Sequence, residues 1–543
     1  MASRRVTYHL NGRAIFINHW RYCCFIPLLV PIILFVSALS IPPIMNADTS
    51  GGFLVLRSML AGGAFNTYPA PDPANIANDI VTFLTLWSPG QYLVPGIFVW
   101  FGSTYGFALS LTALIATLVG LLGWFQVGRS FAVSPFVLFL FILGLSTFAY
   151  VTLPFRVYNG GEVLLFAAAP WSLHGMRWAA HKRPMISFAI SLLSMALLFF
   201  VKLSGLIVFA ANVGAITLSF LLSKRRFNSS IMTMWLAAAI GTLCFIMFWL
   251  TRGPVAARGG SFALSLLPIW FSVACTTFSG MSGLDFLSWF FQDVLTPTIS
   301  GTYVDWSDFY TRVVKFSYTL GPLGVLLIVW VWLKLRHTRY QDMAAQLFTV
   351  ISLYAFMLAL LYLRRAEISL EDRHFRYAGI LFFLLLLTAI DQWRFRFAKL
   401  FASLIVIVFG LYGLSNFSRD TYAQSQRPEN YDAMAGIYQE VVPPAVLDYL
   451  RSEVIRNNYQ HPLAVVTSLS AAISLPGFRI LYYIPYKRAD GRTWAGRAEK
   501  IFVILPEELL QEGRIEDILG SFTGYSVHSW KQMNLDGMII YTQ

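Results

Sequence analysis

Charge is scarce in this chain. Asp, Glu, Lys and Arg make up 12% of its 543 residues, about half the ~25% usual in a soluble globular protein. So few charges cannot cover the surface of a water-soluble chain of this length. Cysteine is scarce too. The four present form no disulfide framework, and Cys23, Cys24, Cys244 and Cys275 are read as free thiols, the last of them in a loop. There is no P-loop, no Gly-rich nucleotide fingerprint and no Ser nucleophile elbow. No repeat, low-complexity tract or Gly/Ser linker is visible.

What is abundant is apolar mass. Hydrophobic residues make 57% of the chain, with 46 Phe, 25 Tyr and 16 Trp, and the mean hydropathy is +0.61. This excludes disorder and implies a polytopic membrane protein. The net charge of +13, from 40 Lys and Arg against 27 Asp and Glu, is explained first by the positive-inside rule rather than by nucleic acid. An anionic substrate such as a lipid phosphate is a second explanation.

The first apolar run, about 24–43, is long enough to span a membrane. It lacks a small-residue cleavage site, so it is expected as a retained first helix. Arg4, Arg5, Arg13 and Arg21 before it predict a cytoplasmic N-terminus. An outer loop is expected over 44–103, with interfacial helices at Phe53–Leu60 and Tyr92–Phe101. Further spans are expected at about 104–126, 135–152, 163–179, 185–201, 204–223, 230–250, 317–333, 345–363, 376–390 and 398–415. That is about eleven spans. Arg129, Arg177, Lys182, Arg183, Lys224–Arg226, Lys334, Arg336, Arg339, Arg394, Arg396 and Lys399 then fall on one side. Outer loop 251–316 is expected to hold amphipathic helices around Trp270, Phe271 and Trp289–Phe291 lying on the membrane. From Asn416 the chain reads as an outer α/β domain. A helix is expected at Leu447–Ile455, strands at Leu463–Thr467, Arg479–Ile484, Ile501–Leu505 and Met538–Tyr541, and a loop then a short helix at Pro506–Gln511 and Arg514–Leu519.

Ionisable residues at membrane depth are candidates for function, and several gather on the outer side. Asp48 follows the first span. Glu162 ends the Tyr158-Asn-Gly-Gly-Glu162 turn. Lys202 sits in Phe200-Val-Lys-Leu-Ser-Gly205. Glu371, Asp372, Arg373, His374, Arg376 and Tyr377 crowd the start of a late span.

These features, in this order, resemble the GT-C integral-membrane glycosyltransferases, and are similar to protein O-mannosyltransferases and lipid A aminoarabinose transferases. Asp48 matches the family's acidic residue after helix one. Trp87-Ser-Pro-Gly-Gln-Tyr-Leu93 resembles its Pro-Pro-Leu helix start, with Gly90 in place of the second Pro. Phe101-Gly-Ser-Thr-Tyr-Gly106 resembles its Phe-Gly turn, and Gly128-Arg129 its Gly-Arg closure. Glu162-Val-Leu-Leu165 stands where the family has Asp before a Leu-Leu run. Phe200–Gly205 and Glu371–Tyr377 resemble its Leu-Thr-Lys-Gly and Arg-Tyr motifs. The match runs over roughly residues 10–415.

The resemblance implies an inverting transfer of sugar from a polyprenyl-phosphate carrier to a lipid, glycan or protein acceptor, on the outer face of a cell inner membrane. The N-terminus would be cytoplasmic and the C-terminal domain periplasmic or extracellular. The fold expected is a polytopic α-helical GT-C-like domain over 1–415 and an α/β domain over 416–543. Asp48 would be the base and Glu162 a second catalytic residue. Lys202, Arg373, Arg376 and Arg57 would hold the lipid phosphate, while Tyr92, Glu371, His374 and Tyr377 would line the donor and acceptor pocket. No cofactor, catalytic metal or nucleic acid is expected, with a divalent ion at Asp48 and Glu162 left open.

Plainer roles compete at each position. Asp48 suits the N-cap of a helix starting near Thr49. Glu162 suits a pair with Arg156, Lys202 a snorkelling role, and Arg373 and Arg376 a solvated cluster with Glu367, Glu371 or Asp372. His174 and His181 read as surface residues. A transporter or flippase, or a non-catalytic GT-C-like scaffold, are the rival functions. Transporters favour internal repeats and mid-bilayer charges, and neither is seen here.

Overall fold

The computed structural model describes residues 25–222 except 46, 152, 157 and 159; 229–280 except 254–261 and 263; 306–482 except 367–370; and 493–543 except 512 and 513. The start of the first run, Arg4, Arg5, Arg13, Arg21, Cys23, Cys24, Lys224–Arg226, Trp289–Phe291 and Glu367 lie outside the described residues, as do the side chains of Ala47 and Asp48.

The chain begins with helix α1 (Ile26–Ala38) and α2 (Ala47–Leu60). A hairpin follows, strands β1 (Thr67–Asp72) and β2 (Asn75–Phe83), then α3 (Gly90–Trp100). The hairpin was not legible: its strands alternate weakly and carry Pro69 and Pro71, which argue against a strand. Two helices are set by their caps. Thr104 Oγ1 accepts the amide of Phe107 at 3.3 Å to start α4 (Tyr105–Ser130). Ser134 Oγ accepts the amide of Val137 at 3.3 Å to start α5 (Pro135–Thr147), with Pro135 in the first turn where its missing N–H costs nothing.

The bundle continues with α6 (Gly161–Ala179), α7 (Pro184–Val201), α8 (Gly205–Leu222), α9 (Ser229–Phe248), α10 (Leu267–Phe278), α11 (Trp306–Leu335), α12 (Gln341–Leu363), α13 (Arg376–Asp391) and α14 (Arg396–Ser425). By length and composition, seven helices among the described residues can cross a membrane. Four shorter apolar helices stand beside them. The chain is a multi-pass membrane protein. Helix α13 lies at the centre, with buried residues around its circumference, which is what an all-apolar helix requires. Helix α14 faces outward, with Leu400, Leu404, Ile407 and Leu411 exposed.

Helix α10 corrects one expectation. It does not lie on the membrane but packs against α11, α12 and α13. Phe271 is fully buried, edge-on to Tyr362 and Phe375 at 6.3 and 5.8 Å between centroids. Cys275 is buried in this helix rather than in a loop. The last apolar helix also runs on to Ser425, past the expected break at Ser415.

The sheet domain holds a short pair, β3 (Tyr431–Asp432) with β4 (Ile437–Tyr438), then α15 (Pro444–Asn457), β5 (Leu463–Val466), α16 (Leu469–Ile473), β6 (Arg479–Tyr482), β7 (Ile501–Pro506), α17 (Glu508–Gln511), α18 (Ile515–Gly520), β8 (Lys531–Leu535) and β9 (Met538–Thr542). The expected strands form, with residues 483 and 484 of the second outside the described set. Strand β8 was missed because it is polar and at an edge. The stretch Glu508–Gln511 is helical rather than loop. The five-stranded sheet runs β6-β5-β7-β9-β8, with β5 parallel to β6 and β7 and the rest antiparallel. Strands β5, β7 and β9 are apolar on both faces. Leu463, Val465, Val503 and Ile539 join one core and Ala464, Val466, Ile504 and Ile540 the other, so both faces must be covered. The helical bundle followed by an α/β sheet domain is the architecture expected from the sequence.

Arg57 is a second correction. It does not reach a phosphate site. From α2 it donates to the carbonyls of Ala472 at 2.6 Å and Phe478 at 2.5 Å, in the sheet domain. Burial lowers its pKa from the ordinary arginine value. Arg479 makes the reciprocal tie, with Asp79 Oδ1 at 2.5 Å and the carbonyl of Ile76 at 2.7 Å in the hairpin. Arg57→Met should therefore loosen the docking by about 1.5–3 kcal/mol for each charged hydrogen bond lost. Hydrogen exchange should accelerate in α2 and around 472–478. Unchanged exchange in both segments would remove Arg57 from the docking.

Candidate functional site

Four elements end together at the end of the bundle that carries the sheet domain. Glu162 stands in the first turn of α6, Lys202 caps the C-terminus of α7, Arg373 and His374 lie in a short turn at 372–375, and Arg376 opens α13. The Gly-Gly before Glu162 makes the approach possible. Gly160 has φ +61° and ψ −117°, a conformation open to glycine alone. A Cβ on Gly161 would stand 2.8 Å from both Lys202 Cγ and the Val201 carbonyl.

Lys202 pairs directly with Glu162. Arg376 Nη1 lies 3.7 Å from the other carboxylate oxygen, and the side chains of Glu162 and Arg376 are 6% and 7% exposed. The guanidinium of Arg376 also lies over the rings of Tyr150 and Phe155, at 4.9 and 5.0 Å. Arg373 pairs with Glu371. One buried carboxylate thus sits between two cations, so the Glu162, Lys202 and Arg376 triad carries one positive charge.

Two of these groups keep hydrogen-bonding capacity in reserve. Among the described residues, His374 Nε2 and Arg376 Nε and Nη1 are buried without a hydrogen-bond partner. Leaving a buried charged donor unmet is costly, so the arrangement suits an incoming anion or an ordered water. A cavity of about 20 Å³ adjoins them, walled by Trp124, Phe166, Tyr354 and Tyr377, enough for about one water. Tyr354 donates to the carbonyl of His374 at 2.6 Å and Tyr377 to Asn212 Oδ1 at 2.8 Å. These bonds brace the turn and the start of α13.

The remaining candidates separate. Tyr92 is not at the cluster. Its hydroxyl donates to Asn66 Oδ1 at 2.5 Å and its ring packs on Gly52, so it joins α3 to α2 and the hairpin. Asp48 is the second residue of α2, inside the first turn rather than at its cap. Its neighbour Thr49 donates to the carbonyl of Tyr158 at 3.3 Å, and Tyr158 donates to the carbonyl of Gln91 at 2.7 Å. The starts of α2, α3 and α6 therefore meet, bringing positions 48 and 162 to the same end of the bundle. Glu162 does not pair with Arg156, which bonds to Gln424 instead. Nor does Lys202 snorkel outward, since its ammonium turns in to Glu162. With two cations on its carboxylate, Glu162 is a poor metal ligand. Asn212 was missed although a buried Asn in an apolar helix is a readable signal. Trp124 and Tyr354 carried none.

A second, larger cavity of about 670 Å³ opens beside this cluster, between the end of α5, the turn 153–156, the end of α14 and the β3–β4 segment. Tyr150 is common to both: its ring lies under Arg376 and it lines the larger cavity.

No protein-family model matches the sequence, and no curated protein does. Among solved structures, the chain is similar to ArnT from Cupriavidus metallidurans bound to undecaprenyl phosphate, at 10% identity and TM-score 0.49, covering 95% of this chain and 97% of that one. It is also similar to the Archaeoglobus fulgidus oligosaccharyltransferase, at 10% identity and TM-score 0.45 over 91% and 71% of the two chains. A third is the arabinofuranosyltransferase AftD from Mycobacteria, at 12% identity and TM-score 0.43 over 88% of this chain and 32% of that one.

Proposed function

We propose that this chain is an inverting membrane glycosyltransferase. It moves a sugar from a polyprenyl-phosphate carrier to an acceptor at the membrane face carrying the sheet domain, the outer face of a cell inner membrane with the N-terminus cytoplasmic. The observation that carries the reading is the buried Glu162, Lys202 and Arg376 cluster with unmet donors, at the bundle end where the start of α2 arrives.

The chemistry needs few groups. Phosphate is the leaving group, and cations that neutralise it lower the barrier in a dry site. Arg376, Lys202 and Arg373 supply the charge, with Arg suited to two parallel bonds to phosphate oxygens. The acceptor hydroxyl must lose a proton as it attacks the sugar carbon from the side opposite the phosphate. Asp48 takes that proton. A single in-line displacement inverts the sugar carbon. Glu162 acts as a positioning residue: its carboxylate holds Lys202 and Arg376 in place and does not take part in proton transfer.

The test is a release assay. Purified full-length protein in nanodiscs, given a polyprenyl-phosphate sugar and a membrane lipid extract as acceptor source, should liberate free polyprenyl phosphate. No release above the rate of an Arg376→Leu control would set the proposal aside.

A further inference from the structure

The larger cavity differs in chemistry from the cationic cluster. Arg156 and Arg427 are matched there by Asp420 and Glu440, so it has no net pull on an anion. Arg156 is already engaged, bonded to Gln424 and lying over Phe417 at 5.7 Å. The uncharged polar side chains on the walls include Tyr150, Tyr412, Tyr438, Asn416 and Asn430. Aromatic faces with amide and phenol tips suit a ring that is apolar on one face and hydroxylated at its rim. Among the described residues, the Tyr150 hydroxyl is buried without a hydrogen-bond partner. It is thus a donor and acceptor left unmet just behind the cavity wall that the Tyr150 side chain helps to form. The volume of about 670 Å³ falls within the ~300–1,000 Å³ of ordinary ligand pockets.

Its position says where the ligand comes from. Helix α14 exposes apolar side chains as far as Leu411. The residues directly after it, Tyr412, Gly413 and Asn416 and then Asp420, line the cavity. The cavity therefore opens where the apolar belt ends, at headgroup level.

We infer that this cavity binds the hydroxyl-rich, uncharged glycan headgroup of a membrane lipid, with Tyr150 between it and the Arg376 cluster. Binding as such needs no transfer chemistry. Identifying the ligand as the acceptor rests on the proposed function, because Tyr150 lines the cavity and its ring lies against Arg376.

The experiment uses full-length protein in nanodiscs and three photoactivatable probes. One is a dihexosyl diacylglycerol with a diazirine on its terminal sugar. The second is phosphatidylglycerol with a headgroup diazirine, and the third is the free dihexose with the same diazirine. The glycolipid should label peptides within 149–156 and 412–430 at least about fivefold above phosphatidylglycerol. Asn416→Leu should cut that labelling by about fivefold, the worth of a neutral hydrogen bond or two. Tyr150→Phe, which removes one oxygen only, should lower it about threefold with an unchanged melting temperature. Equal labelling by phosphatidylglycerol, or full labelling of both variants, would overturn the inference. Equal labelling by the free dihexose would overturn the lipid origin of the ligand. These outcomes are read without turnover, so they stand apart from the release assay. Labelling without release would leave the cavity assigned and the transferase reading refuted.

Discussion

Asp48→Asn is expected to lower sugar transfer by about 10²–10⁴-fold, the usual worth of a general base. The substitution keeps the size of the side chain, and the second residue of α2 is a position where Asn is tolerated. Neighbouring ties, such as the Thr49 hydroxyl to the carbonyl of Tyr158, should survive. Loss should fall on kcat and not on the affinity for the carrier, because the proposed phosphate contacts lie at the end of α7, on α13 and in the turn before it. Steady-state transfer with a labelled polyprenyl-phosphate sugar reads both constants. A variant that keeps its full rate would end Asp48's candidacy as the base.

Glu162→Gln should have the other large effect, and on a different quantity. Its carboxylate faces Lys202 and Arg376 in a buried setting. Removing it leaves two cations adjacent and out of water, and breaking such a pair costs about 3–5 kcal/mol. The variant should melt lower and bind the carrier worse, since the cations would no longer be held. Lys202→Met in the same chain should return part of the stability, because the double variant buries one cation fewer. That partial rescue distinguishes an anchor from a base. Were Glu162 the base as well, Glu162→Gln would lower kcat beyond what the loss of stability and carrier affinity accounts for, and the second change would not restore it.

The membrane class and most helices were legible because long apolar runs admit few readings. The β1–β2 hairpin was hidden by its prolines and polar alternation, and α10 was misplaced because its neighbours 251–266 are polar and interrupted. The charged residues of the site were legible as types and as an end of the bundle. Their pairing was not. Nothing in one dimension says that Lys202 turns inward to Glu162, or that Arg57 is committed to the carbonyls of Ala472 and Phe478 more than 400 residues away. The glycine pair before Glu162 was visible, but its reason, the packing of Gly161 against Lys202 and Val201, exists only in the fold. The cavity beside α14 draws on residues from 44 to 440, and no local pattern marks such a place.

The measurement that bears most directly on the transferase reading is equilibrium binding of free polyprenyl phosphate to full-length protein in nanodiscs, for the wild type, Asp48→Asn, Lys202→Ala and Arg376→Ala. Asp48→Asn should bind within about twofold of the wild type. Each cation variant should bind about 10–100-fold more weakly, the worth of one charge-assisted hydrogen bond of ~1.5–3 kcal/mol. Equal binding by all four proteins would show that the cluster does not hold the phosphate, and would contradict the account.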